Sequence, residues 1–235
     1  MSEPSFDSPV FCAWRKACDA EWRRYTEHQF VQELGDGTLA STAFINYLIQ
    51  DYLFLIHFAR AWSLVVVKAS TITEMRVAAA TVDALVNQEM QLHVATCARH
   101  GISEQDLGLA REASENIAYT RYVLDAGYAG DLLDLLAALA PCVFGYGEIG
   151  WSLSQNPVPD NPYQEWIDTY AAADYREVCV AVGGLLESAC RSRLGDQVEQ
   201  SPRWPELTQR FRRATELEAD FWQMGLTLND APVGR

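Results

Sequence analysis

The spacing of apolar residues is the feature that most constrains how this chain can fold. Apolar residues recur three and four positions apart almost throughout its 235 residues, as they do on one face of an α-helix. Alternating apolar and polar residues bounded by Asn-Gly or Asp-Gly turns, the pattern of β-hairpins, are nearly absent. The sequence therefore predicts an all-α protein.

Caps and helix breakers divide the chain into about seven helices. Ser8 followed by Pro9 is typical of a helix start, and Gly127 is expected to terminate the fourth helix. The predicted segments cover residues 9–34, 41–69, 73–99, 103–126, 131–154, 163–193 and 205–228. No repeat of fixed period is visible, and the proline-rich loop near residue 160 is too short for a linker. Residues 1–235 are therefore predicted to form a single domain.

Composition narrows the class of partner. Lys and Arg total 18 against 32 Asp and Glu, which gives a formal charge of −14, and no basic cluster compensates it. Binding to nucleic acid or to an anionic membrane surface is therefore not expected. With 49% hydrophobic residues the chain can bury a large core. Several helices are apolar on more than one face, as at Trp62–Val67, which indicates central burial or subunit contacts.

Three features predict a cytoplasmic protein that does not cross a membrane. The first seven residues carry acids where a secretory signal needs basic residues and then an apolar segment. The longest uncharged stretch of the most apolar region, residues 135–147, is shorter than the roughly 20 residues of a membrane-spanning helix. The cysteines form no CxxC pair and are predicted to be reduced thiols: Cys12, Cys18, Cys97, Cys142, Cys179 and Cys190.

Asp51 lies in the middle of an apolar and aromatic helix, where a buried carboxylate is costly unless it is paired. Phe54, three residues later, lies on nearly the same helix face, so an acid stands beside an aromatic ring. Such a pair would suit a planar, basic heterocycle. The alternative is that Asp51 is an exposed or salt-bridged helix residue.

The segment around Cys142 combines a potential nucleophile with defects in its helix. Pro141 removes a helix hydrogen bond, and Gly145 and Gly147 lower helix propensity with no visible local gain. Such defects often mark functional sites. Cys142 and Tyr146, four residues apart, share one face, and a thiol becomes a nucleophile when its pKa is lowered or a base is near. The alternative is an inert cysteine on a kinked core helix.

A second acid stands beside an aromatic ring near the C-terminus. Glu218 and Phe221 are three residues apart and share a helix face, although so acidic a segment is also typical of a solvated surface. Tyrosines complete the candidate set, each with burial in the core as its alternative: Tyr119, Tyr122 and Tyr170.

Glu89 and His93 are four residues apart, a spacing that can present two ligands to one metal ion. Because all four histidines precede residue 101, the later helices contribute no imidazole to a carboxylate-rich two-metal site, and we expect no metal. The motifs of phosphate-binding loops, dinucleotide-binding loops and serine hydrolases are absent.

Four segments in a fixed order resemble the TenA/thiaminase II family. They are FxxYLIQDYLFLxxFARAW from residue 44, NQEMQLH at 87–93, APCxFxYGEIG from 140 and ExxFWQM from 218. The resemblance covers nearly the whole chain. It implies a haem-oxygenase-like helical bundle, usually a homotetramer, that acts on a small aminopyrimidine without a metal or cofactor. It does not imply haem, because fold does not determine function.

The resemblance also implies an activity and roles for individual residues. Members of the family are aminohydrolases of thiamin salvage that convert 4-amino-5-aminomethyl-2-methylpyrimidine to the 5-hydroxymethyl compound and cleave thiamin more slowly. On this basis Cys142 would add to C6 of the pyrimidine, Glu218 would hold or protonate a ring nitrogen or the leaving amine, and Asp51 would bind the N3 and 4-amino edge. The aromatic positions that would wall the ring are Phe54, Tyr119, Tyr146, Tyr170 and Phe221.

Phe54 departs from the pattern of many family members, which carry tyrosine at this position. Ring stacking is retained but one hydroxyl is lost, so we expect a slower enzyme. Two other functions stay open. One is an oxidase or oxygenase of the same fold, whose di-iron form is disfavoured by the lack of histidine in the second half. The other is a pyrimidine-binding protein without turnover.

Overall fold

The structure, a computed structural model, describes residues 4–227, and within that range it is helical with no β-strand. The all-α prediction is confirmed. The twelve α-helices of this part of the chain are α1 (Pro9–Ala17), α2 (Asp19–Thr26), α3 (Gln29–Asp36), α4 (Ser41–Lys68), α5 (Ile72–Ala84), α6 (Met90–Arg99), α7 (Glu104–Leu109), α8 (Ser114–Ala129), α9 (Leu132–Ser154), α10 (Gln164–Ala171), α11 (Ala173–Leu194) and α12 (Trp204–Thr227). One turn of π-helix, Leu85–Glu89, joins α5 to α6, and one turn of 3₁₀-helix, Val198–Gln200, precedes α12.

The predicted segments correspond to these helices, but several of them are divided. Residues 9–34 form α1, α2 and α3, because the chain turns twice there, the second time at His28, whose imidazole caps α3. Likewise, α7 and α8 divide residues 103–126, and α10 and α11 divide residues 163–193 at Ala172. The number of helices is therefore higher than seven, since turns this short leave little trace in the sequence.

The structure tests the predicted start of the first helix but not the predicted end of the last one. Ser8 caps α1 as predicted, with its hydroxyl oxygen accepting the N–H of Phe11 at 3.1 Å. Leu228, the predicted end of the last helix, lies outside the described residues.

Gly127 does not end a helix, contrary to the prediction. The helix α8 continues to Ala129 and ends at Gly130. Gly127 lies inside α8, where a Cβ atom would stand 2.8 Å from Cδ1 of Leu64. The glycine thus permits close packing of α8 on α4 and does not stop the helix.

Helix α9 forms the core of the bundle. It packs against α4, α8, α10, α11 and α12, and nearly all of its residues are buried. Its buried acids are paired, Asp134 with Arg203 at 3.0 Å and Glu148 with Arg15 at 2.7 Å. Among residues 4–227 it is the one helix long and apolar enough to cross a membrane, but 94% of its most apolar window is buried inside the protein. That burial accounts for a helix that is apolar on all sides.

Helix α4 is the second largely buried helix, and its burial ends near its C-terminus. Trp62 and Val65 are fully buried, whereas Val67 is 77% exposed. Central burial thus accounts for most of this apolar run but leaves Val67 uncovered.

Two glycines of α9 let neighbouring elements approach it closely. A Cβ atom at Gly145 would stand 2.1 Å from Cε1 of Tyr25, and one at Gly150 would stand 2.5 Å from the backbone carbonyl carbon of Tyr170. Glycines that look like helix defects in the sequence therefore allow Tyr25 and Tyr170 to lie against the helix that carries Cys142.

Replacing Gly150 with alanine should destabilise the protein, because α10 would have to move away from α9. We expect the free energy of unfolding, measured by urea denaturation, to fall by about 1–3 kcal/mol. Gly184 on α11 provides the control, since nothing lies within 4 Å of a Cβ atom there. Gly184→Ala should be neutral or stabilising by up to about 1 kcal/mol. Equal stability of the two variants would contradict the close packing.

Candidate active site

Two cavities share Leu92 in their walls. The larger, of about 510 Å³, touches His93 and has no cysteine among the described residues that line it. The smaller, of about 280 Å³, is lined by Cys142, Glu89 and Tyr170 together with mostly apolar residues. This smaller space, which we call the Cys142 cavity, therefore combines a candidate nucleophile with an acid.

Helix α9 brings Cys142 to the wall of this cavity. Between residues 132 and 150, Cys142 is the one residue that is not fully buried. Pro141 lies just before it and cannot donate a helix hydrogen bond, yet α9 continues through both residues. Helix α9 is thus covered by neighbouring elements along this stretch except at the Cys142 side chain.

The resting thiol of Cys142 is protonated. Burial raises its pKa well above the ordinary value, and the negative charges of Glu218, Glu89 and Asp51 raise it further. The thiolate is the nucleophilic form, so this cysteine requires a base before it can attack.

Glu218 on α12 is the acid beside this thiol. It is 2% exposed, and its Oε1 accepts a hydrogen bond from the Tyr119 hydroxyl at 2.7 Å. Burial raises the pKa of Glu218 to about 8, with a further contribution from Asp51, while hydrogen bonds from Tyr119 and Cys142 oppose the rise. Near neutral pH both forms of Glu218 are accessible, as required of a group that accepts and returns a proton.

Asp51 on α4 lies in a buried hydrogen-bond network. Its Oδ2 accepts hydrogen bonds from Nε2 of His93 at 2.6 Å and from the Tyr47 hydroxyl at 3.0 Å. The Tyr47 oxygen in turn lies 3.3 Å from Nε1 of Trp166 and 3.4 Å from the Tyr146 hydroxyl. Within the described residues both hydrogen bonds of Asp51 end on Oδ2, and Asp51 is not among the residues that line either cavity.

His93 joins Asp51 to the π-helical turn. Its Nδ1 lies 2.9 Å from the backbone oxygen of Glu89, while Nε2 faces Asp51. Burial disfavours the imidazolium, but the hydrogen bond and charge of Asp51 and the charge of Glu89 outweigh that effect and raise the pKa of His93. An imidazolium donates at both nitrogens, which matches its two acceptors. The separation of four residues between Glu89 and His93 thus allows the His93 ring to bond to the backbone oxygen of Glu89. Both ring nitrogens of His93 already have partners within the protein.

The carboxyl group of Glu89 lines the Cys142 cavity. Its Oε1 accepts a hydrogen bond from the Tyr170 hydroxyl at 2.7 Å. Burial raises the pKa of Glu89, and the charge of Asp51 adds to this, while His93 and Tyr170 oppose it. Glu89 ends the π-helical turn Leu85–Glu89, a wider turn of the kind that recurs at functional sites.

The predicted aromatic residues form a buried shell around these acids. The ring centroid of Phe54 lies 5.0 Å from that of Tyr119 and 5.5 Å from that of Phe221. The rings of Tyr146 and Tyr170 are 4.9 Å apart. The structure therefore brings the predicted residues together, although of these five rings only Tyr170 is among the residues that line the cavity. Their roles in catalysis stay predictions.

The network differs from the predicted set in a few residues. Tyr122 lies outside it and donates a hydrogen bond to the carbonyl oxygen of Arg210 at 3.3 Å. Three residues near the site were not predicted: Tyr47, Trp166 and Tyr175. Tyr47 precedes Asp51 by four residues, a spacing that could have revealed it. Trp166 likewise precedes Tyr170 by four residues on α10. Tyr175 is brought in by packing of α11 on α9, which leaves no local signal.

Comparison with known proteins identifies the family. Residues 15–228 match the model of the TENA/THI-4/PQQC family. This chain belongs to that family. The resemblance to TenA/thiaminase II proteins predicted from the four sequence segments is confirmed, and the all-α bundle is the fold of other TenA proteins.

Individual relatives match over most of their length. The crystal structure of a TenA family transcription regulator from Silicibacter sp. TM1040 has a TM-score of 0.92 and 55% sequence identity, over 94% of this chain and 97% of that one. An uncharacterized Haemophilus influenzae protein is 42% identical over 209 residues, 88% of this chain and 94% of the relative. The aminopyrimidine aminohydrolase of Halalkalibacterium halodurans is 35% identical over 205 residues, 86% of this chain and 89% of the relative.

Glu218→Gln should change how stability depends on pH. The pKa of Glu218 is about 8 in the folded protein against an ordinary value of 4.5, so between these values the folded state holds a proton that the unfolded state releases. Stability of the wild-type protein therefore falls as pH rises through this window, and glutamine removes that contribution. Relative to wild type, the variant should gain about 2–4 kcal/mol between about pH 5 and about pH 9 in urea denaturation.

Glu177→Gln, on the exposed face of α11, is the matched control for this measurement. It should leave the pH dependence of stability unchanged. If Glu218→Gln and wild type lose stability in parallel as pH rises, Glu218 is not held as a buried neutral acid.

Proposed function

We propose that this protein is an aminopyrimidine aminohydrolase of thiamin salvage. It hydrolyses 4-amino-5-aminomethyl-2-methylpyrimidine to the 5-hydroxymethyl compound and ammonium, and it cleaves thiamin, which carries the same pyrimidine, more slowly. Membership of the TENA/THI-4/PQQC family and the 35% identity to the aminopyrimidine aminohydrolase of H. halodurans support this reaction.

The exposure of Cys142 to a cavity, on the otherwise buried helix α9, is the observation that carries the proposal. Cys142 faces a cavity of about 280 Å³ whose lining is mostly apolar with a few polar groups. This lining is typical of sites for small organic ligands, and the volume is just below the roughly 300–1,000 Å³ of pockets for drug-sized molecules. A single substituted pyrimidine is a ligand of suitable size.

The proposed reaction proceeds by covalent catalysis. The thiol proton passes to the carboxylate of Glu218, the sulfur of Cys142 forms a bond to C6 of the electron-poor ring, and a ring nitrogen takes up the proton. The bond between the C5 methylene and the leaving nitrogen then breaks, with its electron pair departing on the amine. Water adds to the exocyclic methylene carbon and gives up one proton, which the departed ammonia takes to leave as ammonium. Finally the bond between sulfur and C6 breaks and the ring nitrogen returns its proton through Glu218 to the sulfur, which restores the aromatic ring and the thiol.

The remaining residues orient the ring for this sequence. Asp51, held at Oδ2 by His93 and Tyr47, binds the edge formed by N3 and the 4-amino group. Because its position is fixed before the substrate arrives, little reorganisation is needed on binding. The aromatic residues that wall the ring in this proposal are Phe54, Tyr119, Tyr146, Tyr170 and Phe221.

The proposal also includes the setting of the enzyme, a cytoplasmic homotetramer with no metal or cofactor. Large apolar side chains on the surface of the described residues support contacts between copies, as at Val67, 77% exposed, and Tyr128, 74% exposed. The net charge of −14 supports a small-molecule substrate over a nucleic acid partner.

Cys142→Ala should abolish turnover, because the covalent step loses its nucleophile. We expect kcat/KM to fall at least about 1,000-fold, measured by chromatographic quantification of the hydroxymethyl pyrimidine formed from the aminomethyl pyrimidine and, separately, from thiamin. Cys190→Ala, at a buried cysteine of α11 that does not line the cavity, should retain activity.

Either of two results would contradict this proposal. Undiminished turnover by Cys142→Ala would remove the thiol from the mechanism. Absence of product from wild-type protein with both substrates would exclude the hydrolase, and near-stoichiometric iron in the purified protein would then favour the oxidative alternative.

Phe54→Tyr should raise kcat/KM by about five-fold, the gain expected from one added hydrogen bond near the ring. The ring of Phe54 lies 5.0 Å from Tyr119, whose hydroxyl reaches Glu218, so a new hydroxyl would enter the polar part of the site. Phe211→Tyr adds the same group to a buried ring that lines neither cavity and should not raise kcat/KM. Unchanged or lower activity of Phe54→Tyr would show that the missing hydroxyl does not limit this enzyme.

A further inference from the structure

The charged side chains that line the Cys142 cavity are all acidic. Among the described residues that line it, Glu89 and Asp174 are acidic and none is basic. A low-dielectric cavity with acidic walls favours a cation over a neutral molecule of the same shape. At neutral pH the aminomethyl group of the proposed substrate is an ammonium, whereas the hydroxymethyl group of the product is neutral.

We propose that Glu89 binds the positive charge of the leaving group, and that it makes the site selective for pyrimidines whose C5 methylene carries a cationic substituent. This inference rests on the proposed function, because it concerns the bond that the reaction breaks. It covers both proposed substrates, since the ammonium of the aminomethyl pyrimidine and the thiazolium of thiamin are both cations.

The order of atoms around the pyrimidine locates the C5 substituent. C5 lies between C4, which carries the amino group, and C6, to which sulfur adds. With the amino edge at Asp51 and C6 at Cys142, the substituent extends into the space between these two residues. Glu89 lines the same cavity as Cys142, and its backbone is linked through the His93 imidazole to Asp51.

Exposure to the cavity separates Glu89 from the two other acids near the thiol. Glu218 and Asp51 are each 2% exposed and are not among the residues that line the cavity, whereas Glu89 is. Tyr170 donates its hydroxyl hydrogen to Oε1 of Glu89 at 2.7 Å and holds the carboxyl group in place. Within the described residues no hydrogen bond ends on Oε2, which is therefore available to an ammonium. Glu218 thus acts on the thiol and the ring, and Glu89 on the leaving group.

The backbone of Glu89 is linked to Asp51 through His93. Its carbonyl oxygen is bonded to Nδ1 of His93, and Nε2 of the same ring is bonded to Asp51. The residue that binds the leaving group is therefore connected through one imidazole to the residue that binds the amino edge.

Two ligands that differ only in the C5 substituent test the inference. Isothermal titration calorimetry on Cys142→Ala protein at neutral pH would compare the 5-aminomethyl pyrimidine with the 5-hydroxymethyl pyrimidine, without turnover of either. We expect the aminomethyl compound to bind at least about ten-fold more tightly, as expected for a charged hydrogen bond in a buried site. Adding Glu89→Gln should reduce this preference to about two-fold or less by weakening the aminomethyl compound alone.

Two control variants in the same background make the test specific to Glu89. Asp174→Asn removes one charge from the exposed rim of the same cavity, and Glu177→Gln removes a charge from the exposed face of α11 outside it. Both should keep the preference for the aminomethyl compound. The inference is overturned if the preference survives Glu89→Gln, if either control abolishes it equally, or if no preference or no binding is found.

This binding experiment, taken together with the turnover assay on wild-type protein, separates the inference from the proposed function. A preference that depends on Glu89 in a protein whose wild-type form gives no product would leave a binding site for cationic pyrimidines and reject the hydrolase. Turnover of the aminomethyl pyrimidine without a charge preference in binding would keep the hydrolase and reject the role of Glu89.

Discussion

The hydrogen bond between Asp51 and His93 is the interaction on which the site depends. It joins α4 to α6 at 2.6 Å, and the two side chains are 3% and 1% exposed. A lone buried carboxylate would cost several kcal/mol, but here an imidazole and the Tyr47 hydroxyl satisfy it. Loss of either partner would leave a buried charge uncompensated, and loss of His93 would also remove the hydrogen bond to the backbone oxygen of Glu89.

Burial sets the protonation of the site first, and an excess of acids over bases adds to its effect. Asp51 interacts electrostatically with both Glu89 and Glu218, and His93 is the one base in the described network that interacts with Asp51 and Glu89. Charges this close and this buried cannot all be ionised, so the shared cost raises the pKa of Glu89 and of Glu218 and keeps the Cys142 thiol protonated. The site is thus poised to take up positive charge.

Much of the fold class and of the site follows from local spacing, and the rest follows from packing. A period near 3.6 specifies helices, and within one helix separations of three or four residues put Phe54 near the face of Asp51 and Tyr146 near that of Cys142. The spacing of Glu89 and His93 is equally visible in the sequence, but the interactions that the two side chains make are not. The partner of His93 is Asp51, 42 residues earlier, and no local pattern predicts that contact. The breaks between helices are hidden for a related reason, since Ala172 adopts an extended backbone without any glycine or proline to mark it.

The protonation of Cys142 has a consequence for how the proposed reaction begins. Cysteines with low pKa values stand beside cations or at helix N-termini, but Cys142 lies within α9 among acids. In the resting protein it is therefore a poor target for external electrophiles and oxidants, which react with thiolates. On the proposed function, a cationic leaving group bound at Glu89 brings the positive charge that the resting site lacks and favours the thiolate at the moment the electron-poor ring is in place. Hydrolysis replaces that cation by a neutral hydroxyl, so the same step that completes the reaction returns the cysteine to its unreactive form.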